Sequence, residues 1–306
     1  MTKVALIFPG QGAQEVGMGR EFYDTSAEAR QVFDSADRLI NGLTDVIFNG
    51  PREQLTSTAF CQPAVFTYSM AALSALRAHS KFQNVDPQFA AGLSLGECTA
   101  VAASGALSFE ASLQLVERRS FFMEEATKLK KGAMAAIIGF DKEKLVAICN
   151  ETGAQIANFN APDQIVITGD ADKVEKASEA INKQGAKRVI PLDVSGAFHS
   201  SLMRPAVGKF EEVLSKAAFE IPNFPVVSNV DGRPADDPAK IRSNLAKQIT
   251  SPVQWVDSIE YMAAQGISDF IEIGPGNVLK GLVRKINRDL KVHNIRKPQD
   301  IEDLPL

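Results

Sequence analysis

A serine between two glycines is the feature of this sequence that most directly suggests chemistry. Gly92-Leu93-Ser94-Leu95-Gly96 reads G-x-S-x-G, after a short apolar run and before an alanine-rich stretch. This order predicts a strand, a sharp turn and a helix, with the Ser94 hydroxyl raised above the edge of a sheet. The N–H of Leu95 would open the helix without an intrahelical acceptor and could face a developing oxyanion. Ser94 is therefore the candidate nucleophile.

A serine nucleophile needs a base, and the choice of imidazole is short because the chain has only three histidines. His199 lies in a segment rich in glycine and serine, immediately before a predicted helix, and is the candidate base. His79 lies at the end of a predicted helix between basic residues and is interpreted as a solvated side chain. His293 is interpreted as a strand residue without catalytic neighbours.

Two further features could complete a site. Arg118 and Arg119 are adjacent on a predicted helix, so their side chains point about 100° apart and one of them could turn inward to bind a carboxylate. The pattern alone does not choose between an inward arginine and two surface arginines. Gln11 lies in a glycine-rich loop after the first predicted strand, where either a plain turn or an amide donor to a site is possible.

Composition restricts the class of protein. The 306 residues are 45% hydrophobic and carry a net charge of −4. The sequence therefore lacks the excess of basic residues that would indicate nucleic-acid binding. The chain is expected to be a cytoplasmic enzyme without a signal peptide or membrane segment, because no apolar stretch reads as a span and the three cysteines are scattered. The cysteine spacing predicts no metal site.

Alternating strand and helix patterns predict an α/β fold with two parts. The order β-α-β-β-α-β from residue 132 onward is that of a ferredoxin-like unit, predicted as an inserted subdomain over residues 128–195. Residues 1–127 and 196–306 are expected to share one mostly parallel sheet as the core domain. A long buried helix is predicted from residue 58 to residue 80, broken early at Pro63.

Several segments occur together in this sequence in a distinctive order. They are Phe8–Gln14, Gly92–Glu97, Arg119, Gly196–Ser200, Gln248 followed by Pro252–Trp255, and Glu272–Gly276. Together they resemble one family, the malonyl-CoA:acyl carrier protein transacylases of type II fatty acid synthesis. The resemblance covers essentially the whole chain, and the joint order of the segments is far more specific than any one of them.

The resemblance implies a role for each matched residue. Ser94 would accept the malonyl group and His199 would act as its base, in a dyad rather than a triad. Gln248 would hold the imidazole through its backbone carbonyl, and the backbone N–H groups of Gln11 and Leu95 would form the oxyanion hole. Arg119 rather than Arg118 would pair with the malonyl carboxylate, and Phe198 would favour malonyl over a branched homologue. Ser120 stands at a position where the family commonly has a glycine.

The resemblance also implies the fold, the partners and the reaction. The core would be α/β-hydrolase-like, with the ferredoxin-like insert beside it. The enzyme would use malonyl-CoA and acyl carrier protein as substrates, would need no cofactor and no metal, and would act as a monomer. Because carrier proteins of this kind are acidic, basic residues near the cleft are expected to contact them; the candidates are Lys187, Arg188, Arg204, Lys280 and Arg284.

Two other functions remain open on the sequence. A serine esterase or thioesterase could use an aspartate between Ser94 and His199, such as Asp170 or Asp193, to orient the histidine. A non-catalytic acyl-CoA-binding or scaffold protein would need none of these contacts.

Overall fold

The computed structural model describes residues 1–305 as a mixed α/β protein with two sheets. The strands, in chain order, are β1 (Thr2–Phe8), β2 (Val85–Gly92), β3 (Gly132–Ile138), β4 (Gln155–Ala161), β5 (Gln164–Asp170), β6 (Arg188–Pro191), β7 (Val226–Val227), β8 (Pro234–Ala235), β9 (Asp269–Ile273) and β10 (Lys291–Ile295).

The helices alternate with these strands for most of the chain. They are α1 (Arg20–Thr25), α2 (Ala27–Leu39), α3 (Leu43–Asn49), α4 (Arg52–Thr56), α5 (Thr58–Ala78), α6 (Leu95–Ala103), α7 (Phe109–Leu129), α8 (Lys142–Thr152), α9 (Ala171–Lys183), α10 (Arg204–Lys216), α11 (Pro238–Gln248), α12 (Trp255–Ala264), α13 (Val278–Ile286) and α14 (Pro298–Glu302).

The larger sheet has the order β10-β9-β1-β2-β7-β8 and is parallel except for the β7–β8 pair. Its central strand β1 reads as a continuous apolar run because it is buried on both faces. Val4, Leu6 and Phe8 pack into the core on one face, and Ala5 and Ile7 pack into the core on the other. Helices therefore cover both sides of this sheet.

The smaller sheet lies within residues 132–191 and is antiparallel, in the order β4-β5-β3-β6. With α8 and α9 it encloses a separate apolar core. Two backbone hydrogen bonds tie it to the rest of the protein, from Phe159 N to Val253 O at 2.9 Å and from Val253 N to Ala157 O at 2.8 Å. The small sheet is therefore attached to the main body beside the loop that follows α11.

Helix α5 differs in one detail from the helix predicted for this segment. The helix begins at Thr58, runs through Pro63 without a break and ends at Ala78. Pro63 is the sixth residue of the helix, beyond its first turn, so one intrahelical hydrogen bond is lost, and the packing of this largely buried helix outweighs that cost. By length and composition α5 could span a membrane, but 78% of its most apolar window is buried inside the protein. That burial is typical of a core helix.

The pairing of β1 with β2 brings two loops together at the carboxyl edge of the large sheet. Phe8 and Gly92 are the last register partners of the two strands. The loop that contains Gln11 therefore starts next to the turn that contains Ser94. The approach is tight, since a Cβ on Gly10 would lie 2.5 Å from the carbonyl oxygen of Leu93.

Candidate active site

The turn between β2 and α6 presents Ser94 in a strained backbone conformation. Its φ is 54°, and His199 at 58° is the only other non-glycine residue with positive φ in the part of the chain described. A Cβ on Gly92 would lie 2.0 Å from the Gly96 backbone, and one on Gly96 would lie 2.1 Å from Phe8 O. The two glycines are thus required by the close packing of strand, turn and helix, as the motif predicts.

Asn229, in the loop after β7, holds this turn from the side. Its Oδ1 accepts a hydrogen bond from Ser94 N at 2.7 Å, and its Nδ2 donates to Gly92 O at 2.7 Å. Asn229 is fully buried, so both bonds are shielded from water. Backbone strain of this kind persists only where the surroundings over-determine it, and the Asn229 amide supplies part of that support.

Ser94 and His199 are in direct contact. Ser94 Oγ lies 2.7 Å from His199 Nε2, and His199 Nδ1 lies 2.9 Å from the backbone oxygen of Gln248. A carbonyl can only accept, so Nδ1 carries the proton and Nε2 offers its lone pair to the serine hydroxyl. Residues 105 positions apart are therefore in the contact expected of a nucleophile and its base, with a neutral carbonyl on the other ring nitrogen.

Burial keeps this imidazole neutral. His199 is 4% exposed, and burial together with the positive charge of Arg119 lowers its pKa to about 4. Its hydrogen bond to Gln248 opposes the shift but is the weaker influence. At neutral pH the residue is therefore unprotonated and able to accept a proton from Ser94.

Arg119 is the arginine that turns inward from α7. It is 1% exposed, whereas Arg118 faces solvent. Its Nη2 donates to Ser94 Oγ at 3.1 Å and to Gln248 Oε1 at 2.8 Å, and its Nη1 donates to Gln62 Oε1 at 2.5 Å. Its Nε is buried without a hydrogen-bond partner among the described residues. Burial lowers the pKa of this guanidinium, and all its direct partners are neutral groups.

The remaining predicted residues border a cleft of about 540 Å³ that opens over Ser94. Leu95 is the first residue of α6, so its N–H has no intrahelical acceptor. Gln11 lies on the facing loop, and Phe198 is buried next to His199. The small sheet supplies another wall, with Met134, Asn158, Asn160 and Val166. The cleft therefore lies between the two sheets.

The other histidines and the two candidate aspartates are held elsewhere. His79 Nε2 contacts Glu302 at 3.1 Å near the surface, and His293 Nε2 contacts Asp269 at 3.1 Å. Asp170 pairs with Lys130. Asp193 is exposed on the cleft wall. The imidazole nitrogen that an orienting aspartate would need is bonded to the Gln248 carbonyl, so the geometry does not favour the Ser-Asp-His esterase arrangement.

Three polar residues of this site were not identified from the sequence: Gln62, Asn229 and the side chain of Glu97. Glu97 belongs to the quoted motif, but no role was assigned to it. Its Oε2 accepts from Gln248 Nε2 at 2.6 Å and from Asn229 N at 3.1 Å. The available signal for Asn229 is its position just after a predicted strand at the carboxyl edge of the sheet; Gln62 sits within an apolar helix and carries no such signal.

Comparison with known proteins identifies the family. Residues 5–299 match the family model described as an acyl transferase domain. The chain is 46% identical to the malonyl CoA-acyl carrier protein transacylase of Bacillus subtilis, across 99% of this chain and 96% of the relative.

Solved structures agree with the sequence relatives. The acyl-carrier-protein-S-malonyltransferase of Bartonella henselae superposes with a TM-score of 0.94 at 38% identity, over 99% of this chain and 98% of that one. A malonyl-transacylase solved in complex with its type II PKS acyl-carrier protein superposes with a TM-score of 0.92 at 35% identity, over 99% and 98% of the two chains. The chain therefore belongs to the acyl transferase domain family and, within it, to the malonyl CoA-acyl carrier protein transacylases.

Proposed function

We propose that this protein transfers a malonyl group from CoA to the phosphopantetheine thiol of acyl carrier protein through a covalent acyl-Ser94 intermediate, and so supplies fatty acid synthesis. The observation that carries this proposal is one constellation around a single atom. Ser94 Oγ lies 2.7 Å from the Nε2 of a neutral histidine and 3.1 Å from the Nη2 of a buried arginine. The proposed nucleophile and base line the cleft, and the proposed carboxylate ligand contacts the nucleophile from its buried side.

The first half-reaction uses the serine and the histidine. His199 Nε2 removes the Ser94 proton as Oγ attacks the thioester carbonyl carbon. The negative charge moves to the carbonyl oxygen, where the N–H groups of Leu95 and Gln11 would stabilise it. Such donors are worth about 3–4 kcal/mol each in acyl transfer. The intermediate collapses with cleavage of the C–S bond, and the imidazolium returns its proton to the departing CoA sulfur.

Arg119 supports the choice of a malonyl group. A carboxylate that reaches this guanidinium would replace its neutral partners with a charge-assisted, two-pronged hydrogen bond. The bond to Ser94 Oγ would be given up as Ser94 becomes acylated. An acetyl group would offer no carboxylate and would gain no direct ion pair with the buried guanidinium, a difference of several kcal/mol. The arrangement is expected to discriminate strongly between the two acyl groups.

The second half-reaction reverses the first with another thiol. His199 would deprotonate the carrier protein's thiol, which attacks the acyl-Ser94 carbonyl, and would return the proton to Ser94 as it leaves. The two half-reactions share one site, so ping-pong kinetics follow. The basic residues Lys187, Arg188, Arg204 and Arg284 are exposed and Lys280 is partly buried, so these five remain candidates for contact with an acidic carrier.

We also propose a domain organisation for the chain. We interpret residues 128–195 as an inserted ferredoxin-like subdomain and residues 1–127 with 196–306 as an α/β-hydrolase-like core. In support, the small sheet has the order expected of a split βαβ unit, with its first strand in the interior beside its last. We also propose that the protein is a cytoplasmic monomer that needs no cofactor.

The test is intact-mass measurement of the full chain. Incubation with malonyl-CoA is expected to add one malonyl group, and subsequent addition of holo acyl carrier protein is expected to remove it. Ser94→Ala should prevent the first mass change altogether, because no other residue is proposed to accept the acyl group. Stoichiometric binding of malonyl-CoA without a covalent adduct would contradict the proposal, as would rapid release of free malonate in place of thiol transfer.

A further inference from the structure

The side chain of Gln248 connects an anion to a cation inside the site. Its Nε2 faces three oxygens: Glu97 Oε2 at 2.6 Å, Ser94 O at 3.0 Å and Asn229 Oδ1 at 3.3 Å. Its Oε1 accepts from Arg119 Nη2 at 2.8 Å. The backbone oxygen of the same residue accepts from His199. Gln248 therefore touches both the base and the arginine.

The direction of this amide is set at both ends. In the opposite orientation its oxygen would face three other oxygens, and its NH₂ group would face the guanidinium, so every contact would be repulsive. The Nε2 group has two hydrogens for three acceptors, and the shortest contact is to Glu97. Glu97 is therefore the acceptor with the largest influence on the amide, since a carboxylate accepts more strongly than a neutral oxygen.

Glu97 is placed for this contact rather than for capping its own helix. It is the third residue of α6, and Ser94 at the N-cap makes no side-chain capping bond. The Glu97 side chain is instead 2% exposed and directed at Gln248 and the Asn229 N–H. Burying a carboxylate is costly unless it is hydrogen-bonded, and the bonds from Gln248 and Asn229 offset part of that cost.

From this geometry we propose that Glu97 is a positioning residue that acts through the Gln248 side-chain amide, fixing its orientation and thereby holding Arg119 beside Ser94. The inference rests on the proposed malonyl transfer. Glu97 has a second effect through its charge, because the Glu97 carboxylate partly offsets the Arg119 cation across one amide. An incoming substrate carboxylate then competes with an existing anion for the guanidinium.

Two substitutions separate the positioning role of Glu97 from the effect of its negative charge. Glu97→Gln can keep an oxygen toward Gln248 Nε2 and Asn229 N while it removes the negative charge. Its expected effect is a KM for malonyl-CoA about fivefold lower, with kcat/KM for acetyl-CoA within about twofold of wild type. Glu97→Ala removes the acceptor, so Arg119 loses its support. Its kcat/KM for malonyl-CoA should fall about tenfold or more, and its malonyl-to-acetyl preference should fall about fivefold.

The assay is carrier-dependent transfer by the full chain at pH 8, with holo acyl carrier protein as acceptor. Burial raises the pKa of Glu97 to about 7, so the wild-type carboxylate is ionised under these conditions. The charged or titratable groups that face it are Arg119 on α7 and Cys98 on its own helix. Neither changes its charge between neutral pH and pH 8, since burial raises the pKa of Cys98 to about 11.

Glu272→Gln is the matched control. Glu272 is also a fully buried glutamate, but its oxygens accept from Leu279 N and Lys280 N at the start of α13 and from Asn294 Nδ2 on β10. This variant should lower Tm and leave the malonyl-to-acetyl preference within about twofold. A Glu97 that serves only stability would behave in the same way.

Wild-type values for KM and for the malonyl-to-acetyl preference in both Glu97 variants would overturn the inference. If Glu97→Ala does not fold, Glu97→Gln decides alone, because its lowered KM is an electrostatic effect that loss of stability does not produce. Failure of the proposed function is a separate result, since it would appear as absence of acyl-Ser94 in the wild-type protein.

Discussion

Two regions of this protein pair a buried or partly buried histidine with an oxygen acceptor, and only one of them adjoins the candidate nucleophile. At the cleft, His199 lies between Ser94 Oγ and the backbone oxygen of Gln248. At the outer strand of the large sheet, His293 on β10 lies 3.1 Å from the carboxylate of Asp269, the first residue of β9. A search for histidine–carboxylate pairs would select the second region and miss the first.

The difference lies in what each histidine must do. An acid partner stabilises the protonated imidazole, which suits a structural contact between neighbouring strands. A carbonyl partner fixes the tautomer without adding negative charge, so the imidazole stays neutral and its free nitrogen faces the nucleophile. The charged group beside Ser94 Oγ is instead the cation of Arg119. Catalytic potential therefore follows from the nucleophile and the electrostatic surroundings rather than from a carboxylate partner.

The largest expected effect comes from replacing each of the two histidines by alanine in separate variants. His199→Ala should lower the rate of Ser94 acylation by malonyl-CoA by about 10³-fold or more, because no base remains for the serine proton. His293→Ala should leave that rate within about twofold, because His293 contacts no residue of the site. Single-turnover mass spectrometry with malonyl-CoA measures both. Equal losses in the two variants would show that His199 contributes through folding.

The next effect concerns the arginine that gives the cleft its charge. Arg119→Ala should lower kcat/KM for malonyl-CoA by about a hundredfold or more, since truncating one partner of a buried charge pair costs 2–5 kcal/mol. Transfer of acetyl should fall far less, so the acetyl-to-malonyl ratio should rise. Arg118→Ala is the neighbouring control and should change neither value, because that side chain is exposed. An unchanged ratio in Arg119→Ala would remove its role in selectivity.

A smaller effect separates the cleft histidine from an ordinary imidazole by pH. An ordinary imidazole would be about tenfold less abundant in its neutral form at pH 5.5 than at pH 8. His199, with a pKa of about 4, should stay neutral over this range. Inactivation of Ser94 by a neutral sulfonyl fluoride should therefore proceed at nearly the same rate at both pH values. A tenfold decline would show that the site does not suppress protonation.

The same lowered pKa has a consequence for stability. Between pH 6.5 and about pH 4, His199 is protonated in the unfolded chain but neutral in the folded protein. Its contribution to stability is therefore lost as the pH falls through this range, by about 1.4 kcal/mol per pH unit. Glu97 acts in the opposite direction, because burial raises its folded-state pKa to about 7. The difference in unfolding free energy between wild type and His199→Ala isolates the histidine and should shrink as the pH is lowered.

The sequence predicted the parts of this site that depend on local pattern. The glycines around Ser94 predict a tight turn. The alternating strand and helix patterns predict the mixed α/β architecture with its two sheets. The contact of Ser94 with His199 could be proposed because the chain has so few histidines. Arg119 could be chosen over Arg118 only through the family resemblance, since both choices fit the helical pattern.

What the sequence did not predict depends on long-range polar packing. Gln62 reaches Arg119 across 57 positions, and Gln248 Nε2 reaches Glu97 across 151. An amide has no periodic signature, and whether it faces solvent or a buried cation is decided by the tertiary arrangement. The continuity of α5 through Pro63 has the same origin, because packing of its apolar sides outweighs a local preference for a break.

The smallest expected effect tests the region without a nucleophile. Asp269 is largely buried; burial alone would raise its pKa, but hydrogen bonds from Ser268 and His293 outweigh it and the pKa is lowered. Its contribution is therefore present at neutral pH and lost as the pH falls through its lowered value. Asp269→Asn should reduce the free energy of unfolding at pH 7 by about 0.5–1 kcal/mol and leave malonyl transfer unchanged. Urea unfolding and the carrier assay measure the two quantities on one preparation. A loss of transfer with unchanged stability would mean that this edge of the sheet communicates with the cleft, and the separation of the two histidine regions would be wrong.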